Sequence, residues 1–336
     1  MREMLSRAWM GRGPLALVLW PVAACFGSLV AFKHWLYRHR VLTPEKLPVP
    51  VLVVGNVLVG GVGKTPIVIA LVQHLRQRGI VVGVLSRGYG RQTQDLREVR
   101  TESAAKDVGD EPLLIARTTG APVWVGANRV AAGRALLQQH PSVQVLVCDD
   151  GLQHLSLSRD IEICVFDERG IGNGWMLPAG PLREPWPRRS TTLIHCFEVT
   201  SAIETHQGRY RILRQLADFA VRLDGTRHNL NDWQQHPVQA LAGIAKPNVF
   251  FDMLRAKGVS LTHTQALPDH DDLDHLTINP LLGEVLCTEK DAVKLWSRYP
   301  DAWAVPLVIT LPVEMLQDLD TLLDTKLSSE HGLQTT

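Results

Sequence analysis

A glycine-rich loop followed by Lys-Thr is the segment whose residues most directly indicate chemistry. The loop covers residues 55–63, follows an apolar predicted strand, and ends where Lys64 and Thr65 open a predicted helix. Glycines let the backbone N–H groups of such a loop face a phosphate, and the helix N-terminus adds partial positive charge. In this pattern the lysine contacts the β- and γ-phosphates of a nucleotide, and the threonine ligates Mg²⁺. The predicted nucleotide-binding residues are Gly60, Gly61, Val62, Gly63, Lys64 and Thr65.

The loop differs from two other patterns of phosphate-binding loop. The strict pattern G-x(4)-G-K-[ST] requires glycine at position 58, where this chain has Leu58, although Gly60 and Gly61 supply comparable backbone freedom. The cell-division and partition ATPases carry a signature lysine at the position occupied here by Val59. We therefore predict a variant nucleotide loop that does not belong to those ATPases.

Acidic residues at two further positions could serve phosphoryl transfer. Asp149 and Asp150 follow the apolar run 143–148, and an aspartate at such a strand end holds Mg²⁺ directly or through water. The simpler alternative is an Asp-Gly turn. Asp110 and Glu111 open a predicted helix, where acidic residues are commonly caps. Transfer to a hydroxyl also needs an oriented base, and Asp110 is a candidate for it.

Two arginines follow the second predicted strand, at the sheet edge where α/β proteins bind ligands. Arg87 and Arg91 could contact phosphate there, or they could belong to a plain basic turn.

The apolar runs that position these residues alternate with helical patterns, such as those over 66–78 and 130–139. The runs are rich in Val and Ile on both faces, as buried parallel strands are. This βαβ alternation predicts an α/β, P-loop NTPase-like domain with a mainly parallel sheet. The predicted strands are 51–54, 80–85, 122–125, 143–148, 161–166 and 192–195.

A second group of predicted strands and helices follows a change in composition near residue 212. Its predicted strands are 238–242, 285–288 and 304–311, and its predicted helices are 248–257 and 313–327. The chain is therefore expected to contain an N-terminal helix over 1–40, a P-loop domain over 41–212 and a smaller α/β domain over 213–336.

The N-terminal segment combines an apolar run with basic flanks. Nineteen uncharged residues, 14–32, would rise about 28 Å as a helix, close to the hydrocarbon thickness of a bilayer. Residues 1–40 carry a net charge of +5, whereas the whole chain carries +1. We predict a membrane-associated helix, with a buried core helix as the alternative. The near-neutral total argues against a nucleic-acid partner, and five widely spaced cysteines argue against a zinc site or disulfide framework.

Several strings of residues, taken together, resemble the tetraacyldisaccharide 4′-kinase family over roughly residues 15–325. They are the loop 55–66, Ser86–Arg91, Val108–Pro112, Asp149–His154, Gly172–Pro185 and Thr288–Lys294. The strings Asp-Asp-Gly-Leu-Gln-His and Leu-Pro-Ala-Gly-Pro-Leu-Arg-Glu-Pro are the most specific of these.

The resemblance implies an enzyme that uses ATP and Mg²⁺ to phosphorylate the 4′-hydroxyl of a tetraacylated glucosamine disaccharide 1-phosphate in lipid A biosynthesis. It implies a P-loop domain, a smaller α/β domain and a membrane-associated N-terminal helix, acting at the cytoplasmic face of the Gram-negative inner membrane. The expected partners are the lipid substrate and the membrane surface, with no obligate protein partner.

Matching positions carry the family's site residues over to this chain. Asp110 matches the proposed catalytic base, and His270 matches its helper, although the neighbouring His275 leaves that assignment open. The matching acidic positions near Mg²⁺ are Glu111, Asp149 and Asp150, beside Thr65 of the loop. The other expected active-site residues are Arg87, Gln153, His154, Arg183 and Glu184.

Two other classes of protein remain compatible with the nucleotide loop. A membrane-attached regulatory P-loop NTPase would hydrolyse nucleotide without a lipid acceptor, and a structural nucleotide-binding module would not turn over at all. An ATP assay with and without the acylated disaccharide distinguishes the three.

Overall fold

The computed structural model describes residues 7–188, 195–202 and 209–331. The α-helices in these ranges are α1 (Pro14–Arg38), α2 (Lys64–Gln77), α3 (Ala105–Val108), α4 (Asp110–Thr119), α5 (Arg129–Gln139), α6 (Pro247–Ala256), α7 (Glu289–Leu295) and α8 (Val313–His331). The strands are β1 (Val51–Gly55), β2 (Val82–Ser86), β3 (Arg97–Val99), β4 (Val123–Val125), β5 (Val145–Asp149), β6 (Ile161–Phe166), β7 (His195–Thr200), β8 (Arg209–Arg211), β9 (Leu213–Leu216), β10 (Phe219–Val221), β11 (Arg227–Asn229), β12 (Val238–Ala242), β13 (Leu261–Ala266), β14 (Val285–Thr288), β15 (Trp303–Val305) and β16 (Leu307–Thr310).

The chain forms two compact units, and neither is one continuous stretch. The first unit contains Met1–Arg87, Asn128–Ile212 and Leu311–Thr336, and the second contains Gly88–Ala127 and Leu213–Thr310. The three consecutive segments expected from the sequence differ from this grouping at 1–40, at 88–127 and at 311–336, which includes α8. Periodicity identifies an element but not its partner, and α8 is tied to α2 of the first unit through Asp320, which lies 2.9 Å from His74 Nε2.

The first unit contains a parallel sheet in which β1 is central. Its strands follow the order β2-β5-β1-β6-β7-β8, and the pairs along it are parallel. Every residue of β1 and β5 is buried, which explains their continuous apolar sequence. The register pairs Val54 with Asp149, so the loop after β1 and the aspartates after β5 leave the same edge of the sheet. The predicted mainly parallel α/β architecture is confirmed.

The second unit contains a mixed sheet in the order β11-β10-β15-β14-β12-β13. The strands β12, β13, β14 and β15 pair in parallel, whereas β10 pairs antiparallel with β11 and β15. Two further antiparallel pairs, β3 with β4 and β9 with β16, complete the unit. Its core includes Trp233, Phe250, Phe251, Leu254 and Leu286.

Two of the strand predictions need correction. The strand expected over 304–311 is two strands, because Pro306 lies between β15 and β16 and has no backbone N–H to donate to a ladder. The strand expected over 192–195 runs farther than expected, because β7 continues from His195 to Thr200. Residues 192–194 lie outside the described part of the chain.

Helix α1 includes the predicted apolar run and extends beyond it. Its 25 residues rise about 37 Å, and in length and composition it could cross a membrane. Ala16 and Ala23 are buried, but most of its large apolar side chains are exposed, Val18 by 75% and Leu29 by 69%. This exposure argues against the alternative of a buried core helix.

Candidate functional site

The nucleotide loop connects the end of β1 to the start of α2 and depends on two glycines with positive φ. Gly60 has φ 104° and Gly63, directly before α2, has φ 75°. Side chains with a Cβ rarely adopt these conformations, so the glycine-rich sequence is required by the backbone. Val62 and Thr65 are buried, and Lys64 stands in the first turn of α2.

The Lys64 ammonium is held between an amide and a carboxylate. Its Nζ donates to Asn56 Oδ1 at 3.1 Å and lies 3.2 Å from Asp150 Oδ1. Arg183 Nη1 lies 3.6 Å from the other oxygen of Asp150. Burial would raise the pKa of Asp150, but attraction to Lys64 and then to Arg183 lowers it below its usual value. The loop therefore presents an ion-paired lysine beside an ionised aspartate.

Residues with hydroxyl and carboxylate oxygens follow the paired strands β1 and β5. Asp149 is the last residue of β5 and is only 1% exposed, and the Ser86 hydroxyl donates to its Oδ2 at 3.4 Å. With Thr65 and Asp150, it makes a set of hydroxyl and carboxylate oxygens of the kind that Mg²⁺ prefers. These residues of the first unit fit the predicted metal. The fourth predicted ligand, Glu111, belongs to the second unit.

The segment 172–185 lies along the nucleotide loop and supports its backbone. Val59 N donates to Pro181 O at 2.9 Å, and Arg183 N donates to Val57 O at 2.7 Å. A Cβ on Gly180 would overlap Asn173 Oδ1 and the Trp175 carbonyl, so this turn requires glycine. The specific string in this segment therefore has a structural reason: it pairs with the loop and delivers Arg183 to Asp150.

Gln153 and Glu184 form a polar link beneath the loop. Gln153 Nε2 donates to the Asn56 carbonyl at 3.0 Å and to Glu184 Oε1 at 2.7 Å, and Arg188 Nε donates to Glu184 Oε2 at 3.1 Å. Gln153 contacts Asn56, the residue that also accepts from Lys64, and Glu184 is joined to Asn56 through Gln153. The structure thus connects these two predicted site residues to the position of Lys64.

His154 is a neutral hydrogen-bond acceptor. Its Nε2 accepts from the backbone N–H of Arg129 at 3.4 Å and lies 2.9 Å from Ser156 Oγ. Burial, followed by the positive charges of Arg129 and Arg159, lowers the pKa of His154 to about 4. The remaining predicted residue of this unit, Arg87, is exposed and directly follows β2.

The segment before α1 is joined to the same support. Trp9 Nε1 donates to Pro178 O at 2.9 Å, and Asn173 N donates to Trp9 O at 2.7 Å. Farther along, Lys33 Nζ donates to the Gln153 carbonyl at 3.2 Å. The segment before the apolar helix and the nucleotide loop therefore both contact the segment 172–185, and the helix also contacts Gln153.

The second unit holds Asp110 and His270 against each other. Asp110 begins α4 after Gly109, whose φ is 95°, and only 6% of Asp110 is exposed. Its Oδ1 accepts from Glu111 N at 3.1 Å, and its Oδ2 lies 3.3 Å from His270 Nδ1. His275 is instead 64% exposed, with its Nδ1 3.7 Å from Asp271. Of the two histidines left open in the sequence, His270 is the one that lies against Asp110.

Two lysines of α7 surround this pair. Lys290 Nζ lies 3.8 Å from Asp110 Oδ2 and 3.7 Å from Glu111 Oε1, and Lys294 Nζ lies 3.6 Å from Asp110 Oδ2. Burial would raise the pKa of Asp110, but the adjacent His270 and the two ammonium groups lower it to about 2. The neighbouring Asp110 carboxylate in turn raises the pKa of His270. The carboxylate is therefore ionised and oriented.

Sequence reasoning did not identify Lys290, Lys294 or Asn56 as site residues. The spacing of the two lysines by four residues places them on one face of a helix, a signal present in the sequence. Nothing in that spacing indicates which carboxylate the face meets.

Comparisons with known proteins agree with this geometry. The family model described as tetraacyldisaccharide-1-P 4′-kinase matches residues 15–328. The tetraacyldisaccharide 4′-kinase of Acidovorax ebreus (strain TPSY) is 52% identical over 330 residues, covering 98% of this chain and 97% of that protein. That of Polaromonas naphthalenivorans (strain CJ2) is 51% identical over 345 residues and covers all of both chains.

A solved structure is similar over almost the whole chain. The crystal structure of LpxK from Aquifex aeolicus in complex with ATP superposes with a TM-score of 0.80 at 28% identity, covering 93% of this chain and 99% of that one. Loop, sheet and sequence all lead to one assignment: the chain belongs to the tetraacyldisaccharide-1-P 4′-kinase family.

Proposed function

We propose that this chain transfers the γ-phosphate of ATP to the 4′-hydroxyl of a tetraacylated glucosamine disaccharide 1-phosphate, a step of lipid A biosynthesis. Family membership and relatives at about half identity support this activity, and the similar LpxK structure contains ATP. The regulatory NTPase considered from the sequence is not favoured, because the relatives are kinases. The observation that carries the proposal is an enclosed carboxylate, Asp110, oriented by His270 in a chain that also has a phosphate-binding loop.

The phosphate-binding loop and the aspartates beside it supply the phosphate-donor half of the reaction. Lys64 exchanges part of its contact with Asp150 and Asn56 for the phosphate oxygens of ATP, and the loop N–H groups bind the same oxygens. Thr65, Asp149 and Asp150 would hold Mg²⁺, which neutralises charge on the β- and γ-phosphates when it is bound. Arg183 keeps Asp150 ionised when Lys64 turns to the nucleotide.

Asp110 and His270 supply the acceptor half. Asp110 takes the proton of the 4′-hydroxyl, and the hydroxyl oxygen bonds to the γ-phosphorus. The bond between that phosphorus and the β–γ bridging oxygen breaks at the same time, and ADP leaves. His270 holds the carboxylate through Oδ2 and does not itself bond to phosphorus. The proton then passes from Asp110 to solvent.

The test is transfer of radiolabelled γ-phosphate from ATP to the acylated disaccharide 1-phosphate. We expect the Asp110→Asn variant to bind ATP as the wild type does and to lose turnover by ~10²–10³-fold, because an amide cannot accept the proton. Asp252→Asn is the matched control, since Asp252 is an exposed carboxylate of the same unit, paired with Arg255.

Two outcomes would contradict the proposal. Wild-type protein that hydrolyses ATP but labels no lipid would favour the regulatory NTPase. An Asp110→Asn variant with turnover near that of the wild type would remove Asp110 as the base, while leaving the kinase activity in place.

Helix α1 is proposed to bring the kinase to its substrate at the cytoplasmic face of the inner membrane. The multiply acylated substrate stays in the bilayer, and a tethered enzyme meets it at a higher effective concentration. The exposed Val18 and Leu29 supply apolar surface, and the +5 charge of residues 1–40 favours anionic lipid, at about 1 kcal/mol per well-placed basic residue.

The double variant Val18→Asp/Leu29→Asp tests this anchor without removing the contacts of Trp9. We expect less protein in the membrane pellet and transfer in vesicles about tenfold lower, with little change on substrate in detergent micelles. Leu281→Asp is the control, because Leu281 is 90% exposed in the second unit. A double variant that still sediments completely with membranes would place the anchor elsewhere.

A further inference from the structure

The first turn of α7 is fixed from both sides, and this sets the position of Lys290. Thr288 caps the helix by accepting from Asp291 N at 3.2 Å, and its hydroxyl donates to Asp291 Oδ2 at 2.6 Å. Asp291 is fully buried and also accepts from Gly243 N at 2.9 Å, at the end of β12. Lys290 therefore projects from a helix turn that is anchored to the sheet.

The Lys290 ammonium reaches more than the carboxylate of Asp110. Its Nζ donates to Asp269 Oδ1 at 2.9 Å and lies 3.2 Å from His270 Nε2. Only 15% of the Lys290 side chain is exposed. Burial would lower the pKa of Lys290, but the surrounding Asp110, Glu111 and Asp269 carboxylates raise it, so the amine stays charged.

A charged ammonium carries hydrogens on every position and accepts none, so it fixes the proton on the imidazole. At 3.2 Å from Lys290, His270 Nε2 must be the acceptor. The remaining proton of a neutral ring then lies on Nδ1, which faces Asp110 Oδ2 at 3.3 Å. Without Lys290, Nε2 would face the Asp269 carboxylate, 3.8 Å away, and the ring would lie between two negative groups.

We propose that Lys290 is a positioning residue that holds Nε2 of His270 as an acceptor, so that the proton of the neutral ring lies on Nδ1, on the side of Asp110. This rests on the proposed role of Asp110 as the base. A neutral ring beside the carboxylate weakens it as a base less than an imidazolium would. Since Nε2 is occupied, Asp110 and not His270 receives the substrate proton.

Lys294 provides a matched comparison on the same helix. It contacts the same oxygen of Asp110 at 3.6 Å, but its other contact is the Asp271 carbonyl at 2.5 Å, and the described residues show no hydrogen bond from it to His270. The groups that face His270 are Asp110, Asp269, Lys290 and the edge of the Tyr89 ring, whose centroid is 4.9 Å away. Removing Lys294 thus changes the charge near Asp110 and leaves Nε2 occupied.

The experiment is an NMR titration of ¹⁵N-histidine-labelled full-length protein in detergent, with the His270 signal assigned from a His270→Gln spectrum. We expect the wild-type ring to be protonated on Nδ1 when neutral. In Lys290→Met we expect the titration midpoint of His270 to rise by about one pH unit or more, and in Lys290→Arg to stay near the wild type. Lys294→Met should move it by less than half as much.

Turnover supplies the second measurement. Lys290→Met should lower kcat about tenfold or more with KM for ATP changed by less than about twofold, and Lys290→Arg should recover part of the loss. An unmoved His270 midpoint in Lys290→Met, an equal shift in Lys294→Met, or a wild-type ring protonated on Nε2 would overturn the proposal. If Lys290→Met does not fold, Lys290→Leu carries the same test, because leucine also has no group that can donate to Nε2.

The two readouts separate this proposal from the proposed function. The titration reports on His270 whether or not the wild type phosphorylates lipid. Failure of the lipid assay alone would therefore contradict the kinase function, and failure of the titration alone would contradict the role of Lys290.

Discussion

Lys64 in the first unit is one ammonium held by a partly exposed carboxylate, whereas Asp110 in the second unit is one carboxylate held by two enclosed ammonium groups and an imidazole. The side chain of Asp150, the partner of Lys64, is 36% exposed, and that of Asp110 only 6%. Charge pairs near solvent exchange partners at little cost, while breaking an enclosed pair leaves an uncompensated buried charge.

This difference matches the two halves of a phosphoryl transfer. A nucleotide site must release its internal ion pair when the phosphates arrive, so a loosely held Lys64 suits it. An acceptor site needs a carboxylate that is already ionised and aimed before the hydroxyl arrives, so the closed arrangement around Asp110 suits it. Mutations in the two regions should therefore have different effects on kinetics and stability.

The largest effect is expected from Lys64→Met in the first unit. The variant loses the charge that stabilises the transferred phosphoryl group, and we expect kcat/KM for ATP to fall by ~10³-fold or more, through both KM and kcat. This contrasts with Asp110→Asn, which should change kcat alone. Steady-state kinetics over a range of ATP concentrations checks it, and Lys257→Met, at a surface pair with Asp218, is the control. An unchanged KM for ATP in Lys64→Met would contradict the expected difference between Lys64 and Asp110.

Acid unfolding should show the two regions in two separate pH windows. The pKa of Asp110 is about 2 in the fold and higher in the unfolded chain, so its contribution is present above its ordinary pKa and is lost as the pH falls from about 4 to 2. We expect about 2 kcal/mol to be lost there by the wild type and not by Asp110→Asn.

The protonation of His154 in the first unit affects folding stability at higher pH. Its folded pKa of about 4 lies below the ordinary value of 6.5, so the unfolded chain takes up the proton first and stability falls as the pH drops from 6.5 to 4. Because the ring is only half-buried, we expect a loss of about 1–2 kcal/mol, absent in His154→Gln. Urea unfolding at several pH values measures both windows, with exposed His263→Gln as control. One shared window for both variants would contradict the assignment.

The first region could be predicted from sequence and the second only in part, and the reason is chain distance. The loop, Lys64 and the aspartates lie at the ends of two strands that pair directly, so the pattern of strand, loop and helix already places them together. Asp110 and His270 are 160 residues apart, and no local pattern joins them. Their pairing was expected from family resemblance, and the structure brings the two side chains into contact.

Lys290 shows the limit of the pattern more sharply. The string from Thr288 to Lys294 predicts a capped helix with two lysines on one face, and the cap is present. Which groups that face meets depends on Gly109, whose positive φ sets the direction of the chain at Asp110, and on the loop that carries His270 with φ 64°. These are tertiary contacts of single residues, and no periodic pattern in the sequence indicates them.

Edge and interrupted strands were missed for a related reason. Strand β13, Leu-Thr-His-Thr-Gln-Ala, lies at one edge of the second sheet and is largely exposed, so it lacks an apolar run. The break at Pro306 was available in the sequence, because proline cannot donate to a ladder, and it was overlooked. The placement of α8 with the first unit depends on Asp320 and Asp324 meeting His74 and Arg78, which only the fold reveals.

The smallest effects should come from the two helix caps that border these regions, and they sharpen the comparison. Asn128 Oδ1 accepts from Val130 N at 3.0 Å at the start of α5, and Thr288 caps α7. Either residue replaced by alanine should cost about 1 kcal/mol of unfolding free energy, because a helix N–H loses its partner. Only Thr288→Ala should also lower kcat, by a few-fold, since α7 carries Lys290 and Lys294 to Asp110. Chemical denaturation and turnover of both variants decide the point: equal stability losses with equal turnover would mean that α7 does not need its cap to hold the carboxylate.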